Sequence, residues 1–180
     1  LPRLAQPLLD RLATQTGCSC SVVVSDGDDL VVIARSAPPQ VSQRTMVHGM
    51  YLGARMPLHA TSTGKLVLAS WERDAVDAWL ARRDASGTSR PLARLTPHTQ
   101  TDPRKLRAEI ARIRKAGHCL SSEQHELGVH ALAVPLDDAH GRMHAALNAI
   151  APLRLHTPQQ RLRDMLPLLQ EASRELRPLL

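Results

Sequence analysis

The residues with the most chemistry to offer lie between Gly53 and Lys65. There Gly53-Ala54-Arg55-Met56-Pro57-Leu58-His59-Ala60-Thr61-Ser62-Thr63-Gly64-Lys65 gathers a fixed cation, an imidazole and three hydroxyls. The next residues, Leu66-Val67-Leu68-Ala69-Ser70-Trp71, continue as an apolar helical pattern, and Thr61 or Ser62 is a good N-cap for it. First-turn N–H groups have no acceptor inside their own helix and sit at the positive end of its dipole. Together with Arg55 and His59 they read as the rim of a pocket for a small anion, a carboxylate or a phosphate. A plainer reading stands beside this one: the hydroxyls only cap a helix, Arg55 pairs with an acidic neighbour, and His59 is a satisfied half-buried histidine. Two catalytic patterns are excluded. Gly64-Lys65 is followed by Leu66, with no glycine five residues before Gly64, so this is not a P-loop. No Gly-x-Ser-x-Gly occurs, so there is no serine-hydrolase elbow.

Composition narrows the classes further. A length of 180 residues with 43% hydrophobic content suits one domain with a real core. That core must be aliphatic, because the aromatic residues are only Tyr51, Trp71 and Trp79. Base-stacking modules need aromatic platforms, and this chain has almost none. The net charge of +6 favours anionic ligands, but the basic residues are spread along the chain rather than gathered in one block. Cys18, Cys20 and Cys119 match no zinc or disulfide spacing, which fits free thiols in a reducing cytoplasm. No apolar run reaches membrane-spanning length, no membrane partner is expected, and the absence of an initial Met suggests a fragment or processed chain.

The elements that must position these groups follow from periodicity. Leu1, Leu4, Leu8, Leu9 and Leu12, stopped by Gly17, predict an amphipathic helix. Cys18–Ser25 and Leu30–Ala34 flank Asp26-Gly27-Asp28-Asp29 as a hairpin, and Ala37-Pro38-Pro39 ends any strand there. Thr45–His48 reads as a further strand, leading through Met46, Met50, Tyr51 and Met56 into the opening motif; flexible methionines suit an adaptable pocket lining. Helices are predicted from about Ser62 to Trp71 and from Glu72 to Arg83, the latter burying Ala75, Val76, Trp79 and Leu80, with a loop over Ala85–Pro91. Asp102-Pro103 opens a helix with Leu106, Ile110 and Ile113 inward, and Gly117 closes it. Its outer face carries Arg104, Lys105, Arg107, Arg112, Arg114 and Lys115.

After a short strand at His118–Ser121, a second hairpin pairs Val129–Leu136 with Arg142–Ile150, and the small residues Ala145, Ala146 and Ala149 leave space on the sheet. Thr157-Pro158-Gln159-Gln160 has capping-box spacing before a last helix with Leu162, Met165, Leu166, Leu169, Ala172 and Leu176 inward, which Pro167 should kink. The order of elements predicts an α+β sandwich with antiparallel connections rather than a dinucleotide-binding fold.

The chain resembles the C-terminal effector-binding domain of IclR-type transcriptional regulators, nearly end to end. The residues that carry the resemblance are Gly53-x-Arg55-x-Pro57-x-His59-Ala60-Thr61-Ser62-x-Gly64-Lys65, Gly117-x5-Glu123, and Glu126-x-Gly128-x3-Leu132-Ala133-Val134-Pro135-Leu136, with Gly141 in the hairpin. Val32-Ile33-Ala34-Arg35-Ser36 and His59 to Gly64 are most similar to the branch that controls catabolism of 4-hydroxybenzoate and protocatechuate through the β-ketoadipate pathway. The resemblance implies a GAF-like antiparallel sheet flanked by helices, a concave ligand face over residues 1–180, and a winged helix-turn-helix domain N-terminal to this chain. It also implies a cytoplasmic homodimer or homotetramer that reaches operator DNA through that missing domain. One departure is His130, where the branch often carries Arg.

Residues and resemblance together give an expected effector site for a small aromatic carboxylate. Arg55 supplies charge, the Ala60 to Thr63 backbone with the Thr61 and Ser62 hydroxyls holds the carboxylate, and His59 or His130 reads a ring hydroxyl. Met46, Met50, Met56, Val134 and Ala145 form apolar walls. No catalytic residue, cofactor or metal ligand is expected. The alternatives are a metal-binding enzyme built on histidines and Cys119, which the spacing of His118, Cys119, His125 and His130 does not support, and a dimerisation module with no effector.

Overall fold

The computed structural model describes residues 1–38, 51–84, 90–152 and 157–180. The expected strand at Thr45–His48, Met46 and Met50, most of the Ala85–Pro91 loop and the side chain of Leu162 lie outside the described residues. Helix α1 (Pro2–Thr16) buries Ala5, Leu8, Leu9 and Leu12 and stops at Gly17, whose φ of 63° only glycine adopts at little cost. Leu4 is 49% exposed, because Ala5 rather than Leu4 completes the buried stripe.

Strands β1 (Ser19–Asp26) and β2 (Asp29–Ser36) form the first hairpin, and β3 (Arg55–Pro57) adds a short edge to β2. A 3₁₀ turn (Leu58–Ala60) leads into α2 (Ser62–Ser70), followed by α3 (Arg73–Asp84) and α4 (Pro103–Ala116). The end signals of α4 act as their chemistry requires. Asp102 accepts from the N–H groups of Arg104 and Lys105, and Gly117 closes the helix in the left-handed region. Val76, Trp79 and Leu80 form the buried face of α3, while Ala75 is exposed.

Strands β4 (Cys119–Ser122), β5 (Val129–Asp137) and β6 (Met143–Pro152) complete one six-stranded antiparallel sheet in the order β3-β2-β1-β6-β5-β4. Helix α5 (Pro158–Leu176) starts at the expected capping box on Thr157 and Gln160, and Pro167 lies inside it without ending it. Buried Met165, Leu169, Ala172 and Leu176 hold it against the sheet.

The sheet is therefore the middle of three layers. Alternation along the strands sends Leu132, Val134, Leu136, Ala145, Leu147 and Ala149 to the face under α1 and α5. Val23, Leu30, Val32, Ala133 and Ala146 point to the opposite face, under α2, α3 and α4. Burying these aliphatic faces, at about 25 cal/mol per Å², is the main driving force available to a chain with so few aromatics.

Two local features carry stability tests. At Gly64 a Cβ would lie 2.2 Å from the backbone oxygen of Leu58 and 2.5 Å from its Cα, so the first turn of α2 touches the 3₁₀ turn backbone to backbone. Gly64→Ala raises helix propensity but forces that contact apart; the overpacking term wins, and a denaturant titration should show a loss of roughly 1–3 kcal/mol.

At the β5–β6 turn, Asp138 Oδ2 meets His144 Nε2 at 2.9 Å and Arg142 Nε at 3.0 Å, while Oδ1 accepts from the N–H groups of His140 and Arg142. The bond from His144, then the Arg142 N–H, hold this carboxyl well below the usual carboxylate range. A depressed folded pKa gives stability that is complete above the unfolded value, near 3.9, and is lost as pH falls towards the folded one. Asp138→Asn should therefore lower the Tm at pH 7, with the gap to wild type closing in melts below about pH 4.

Candidate functional site

The face of the sheet under α2 is not filled along its whole length. One pocket there is lined by residues from β1, β2, β4, β5 and β6 below, from α2 above, and from the loop between β4 and β5 at the side. Strand register orders its floor. Arg35, Ser21, Asn148 and Ala133 stand directly opposite one another in a row across β2, β1, β6 and β5, and Ser19, Ile150, Ala131 and Ser121 form the next row across β1, β6, β5 and β4. Residues directly opposite in a ladder share a face, so both rows look towards α2.

Arg35 reaches this face through a β-bulge. Val22 pairs with Ala34 but Val23 pairs with Val32, so Ile33 is an extra residue in β2. Val32 lies in the core under α2 while Ala34 lies in the core under α1 and α5, which is the change of parity a bulge produces. Arg35 is thereby turned into the pocket. Its guanidinium, half-buried, has no carboxylate or hydrogen-bond partner among the described residues. Asn148 is fixed by its neighbour on β1: Ser21 Oγ donates to its Oδ1 at 2.5 Å, which leaves the amide nitrogen as a donor.

The start of α2 forms the upper wall. Thr61 is the N-cap, its Oγ1 accepting from Gly64 N at 3.0 Å, and Lys65 N bonds to Thr61 O. The N–H groups of Ser62 and Thr63 precede any acceptor inside the helix. Their hydroxyls line the pocket, are buried, and have no hydrogen-bond partner among the described residues. Met56 and Ala60 add apolar surface beside them.

The side wall is the turn from Glu123 to Gly128. Glu123 sits at φ 55°, an uncommon conformation for a non-glycine residue, and is held there by several bonds. Its carbonyl accepts from Thr96 Oγ1 at 2.6 Å, its carboxylate accepts from Gly128 N at 2.8 Å, and its own N–H reaches Val129 O. Gln124 is fixed on both sides: its carbonyl accepts from Thr99 Oγ1, and its side-chain oxygen accepts from Lys65 Nζ at 2.6 Å. Lys65 is fully buried and also meets Glu109 of α4 at 2.7 Å. His125, between these anchors, faces the pocket, and burial lowers its pKa, so the imidazole is neutral at pH 7.

Of the residues expected at the site, the structure brings Met56, Ala60, Thr61 and Ser62 together in the pocket and places five others elsewhere. Arg55 precedes Met56 in β3, and strand alternation turns it outward, where Nη1 lies 2.7 Å from Asp26 and Nη2 3.3 Å from Asp29. His59 leaves the 3₁₀ turn on the other side and bonds through Nε2 to Ala93 O at 2.9 Å; burial lowers its pKa. His130, Val134 and Ala145 alternate onto the α1 and α5 side of the sheet. Met46 and Met50 lie outside the described residues.

Thr63 was expected to contribute its backbone N–H; Arg35, Asn148, Ser121 and His125 were not anticipated at the site. Asn148 carries a sequence signal, as the one amide in the apolar run Ala145–Ile150; Arg35 does not, since its direction depends on the bulge. Buried Cys20 and Cys119 have thiol pKa values pushed up to about 12 by burial, so neither is a nucleophile. Among the described residues no group of three or more His, Cys, Asp or Glu is placed to hold a metal ion, and no helix is long and apolar enough to cross a membrane. The pocket lining combines hydrogen-bond donors with apolar surface, and neither buried thiol is activated.

Comparison with known proteins agrees with that character. The family model for the bacterial transcriptional regulator IclR C-terminal region matches residues 1–177. The Pca operon regulatory protein of Acinetobacter baylyi is 44% identical over 100% of this chain and 62% of its own length. The p-hydroxybenzoate hydroxylase transcriptional activator of the same organism is 40% identical over 99% of this chain and 64% of its length. This chain thus spans less than two thirds of either relative. Among solved structures, the inducer-binding domain of the PobR transcription factor from Acinetobacter, a double mutant in complex with 3-hydroxybenzoic acid, superposes with a TM-score of 0.89 at 41% identity, covering 100% of this chain and 99% of that one. The α+β fold is accordingly GAF-like, as in the effector domains of these regulators. The chain belongs to the IclR C-terminal family of bacterial transcriptional regulators.

Proposed function

We propose that this chain is the sensing domain of a regulator of aromatic catabolism and that its pocket binds a small aromatic carboxylic acid, 4-hydroxybenzoate or protocatechuate. The observation that carries the reading is a pocket whose lining combines the Arg35 guanidinium with the buried hydroxyls of Ser62 and Thr63 at the start of α2, none of which has a hydrogen-bond partner among the described residues. An arginine fork and helix-start donors are the groups that hold a carboxylate. Ala131, Ile150 and Met56 give the ring an apolar slot, and Asn148 adds a donor from the floor. The names and ligand of the relatives, p-hydroxybenzoate and 3-hydroxybenzoic acid, are of this chemical class.

In the whole protein, a DNA-binding domain N-terminal to this chain would read the operator, and the domain would act as a homodimer or homotetramer in the cytoplasm. The acid need only favour one of two arrangements of the pocket walls to change how that assembly sits on DNA.

The test is calorimetric titration of the chain with 4-hydroxybenzoate, protocatechuate, benzoate and adipate, with thermal melts alongside. A ligand that binds only the folded state adds about 2.7 kcal/mol of stability at a hundred times its Kd. Arg35→Ala should weaken binding of the best acid by roughly ten- to a hundredfold, the loss of a charge-assisted pair, whereas Arg55→Ala should leave it unchanged. The opposite pattern would move the carboxylate to the outer edge of β3.

A further inference from the structure

We infer that His125 reads the ring hydroxyl of the bound acid and so determines the preference for hydroxylated over plain aromatic acids. This rests on the carboxylate-sensor reading above and assigns the other end of the same pocket.

The placement comes from topology. Arg35 is on β2, whereas His125 follows β4, and between those strands run β1, β6 and β5. At about 4.8 Å per neighbour, the two backbones stand roughly 19 Å apart across the sheet. The side chains approach the pocket from its opposite ends, with the apolar Ala131 and Ile150 on the floor between them.

Charge orients the ligand. The Arg35 end holds a cation, while the His125 end lies between Glu123 and Glu126, which also line the pocket. Two carboxylates repel a third, so the acid's carboxylate belongs at the Arg35 end and its neutral hydroxyl at the other. Among the groups there, the Gln124 side-chain oxygen is taken by Lys65 Nζ and the Gln100 N–H, and two groups can both donate and accept: the short Ser121 hydroxyl on the floor and the longer-reaching imidazole of the side wall. It engages no hydrogen bond among the described residues, and its neutral form offers one N–H and one lone pair to a phenol that itself carries one of each. Asn148 is less suited, because Ser21 already occupies its oxygen.

The measurement is a calorimetric comparison of 4-hydroxybenzoate with benzoate on the 180-residue chain. The wild type should bind 4-hydroxybenzoate more tightly. His125→Ala should weaken 4-hydroxybenzoate by about tenfold and leave benzoate within about twofold, removing the preference, as expected when a site built to bond a hydroxyl loses its partner. His125→Gln, which keeps a donor and an acceptor, should recover part of it. Benzoate serves as the folding control, since a variant that binds it normally has an intact pocket. Equal weakening of both acids by His125→Ala, no weakening of either, or a wild type without the preference overturns the assignment. Failure of the sensor reading looks different: Arg35→Ala would leave both affinities unchanged. A wild-type chain that binds neither acid overturns both.

Discussion

The ammonium of Lys65 has no access to water, and much of the pocket's shape depends on how that charge is satisfied. Leaving an ion of this size unpaired in the interior costs several kcal/mol, so its partners are not optional. They come from two other places in the chain: Glu109 on α4 and Gln124 in the turn after β4. One buried cation thus ties the helix that forms the upper wall to the helix behind it and to the turn that forms the side wall. The bonds from Thr96 and Thr99 to the carbonyls of Glu123 and Gln124 complete the same clamp. The uncommon backbone of Glu123 persists because these contacts over-determine it. The backbone contact between Gly64 and Leu58 sets how closely α2 meets the 3₁₀ turn at its own start.

The two faces of the sheet divide the work. Under α1 and α5, Leu132, Val134, Leu136 and Leu147 fill the space and supply stability. Under α2, the rows through Ala131, Ala133 and Asn148 carry small or polar side chains, which leaves room for the pocket. Polar groups in that pocket are mutually arranged rather than scattered. Ser21 orients Asn148, the Ile33 bulge turns Arg35 inward, and Thr61 spends its own hydroxyl on the cap so that those of Ser62 and Thr63 remain available. Buried polar groups without partners are costly, so a pocket lined with them favours an occupant that supplies the missing bonds.

Much of the fold was legible because its signals are local. Asp102 with Gly117, Thr157 with Gln160, and the turn at Gly27-Asp28 each specify an element from a few neighbouring residues. The start of α2 at its Thr61 cap was legible for the same reason. Direction across the sheet was harder to read. Arg55 and His59 are adjacent in sequence to pocket residues, yet alternation in β3 sends Arg55 to the surface and the sharp 3₁₀ turn sends His59 to a buried position away from the pocket. The alternation of β5 and β6 was predictable, but which face carried the pocket depended on where α2 packs, and this moved Val134, Ala145 and His130 to the other side. Arg35 was invisible as a ligand-facing residue because one extra residue in β2 reverses its parity, and bulges leave no reliable mark in a single sequence.

The central claim is that a carboxylate is held between β2 and the start of α2, and a crystal structure of the chain with 4-hydroxybenzoate tests it most directly. The account predicts the carboxylate within hydrogen-bond distance of Arg35 and of the Ser62 or Thr63 donors, with the ring over Ala131 and Ile150. A ligand bound with its carboxylate at Arg55, or seated on the α1 and α5 side of the sheet beside His130, would contradict it.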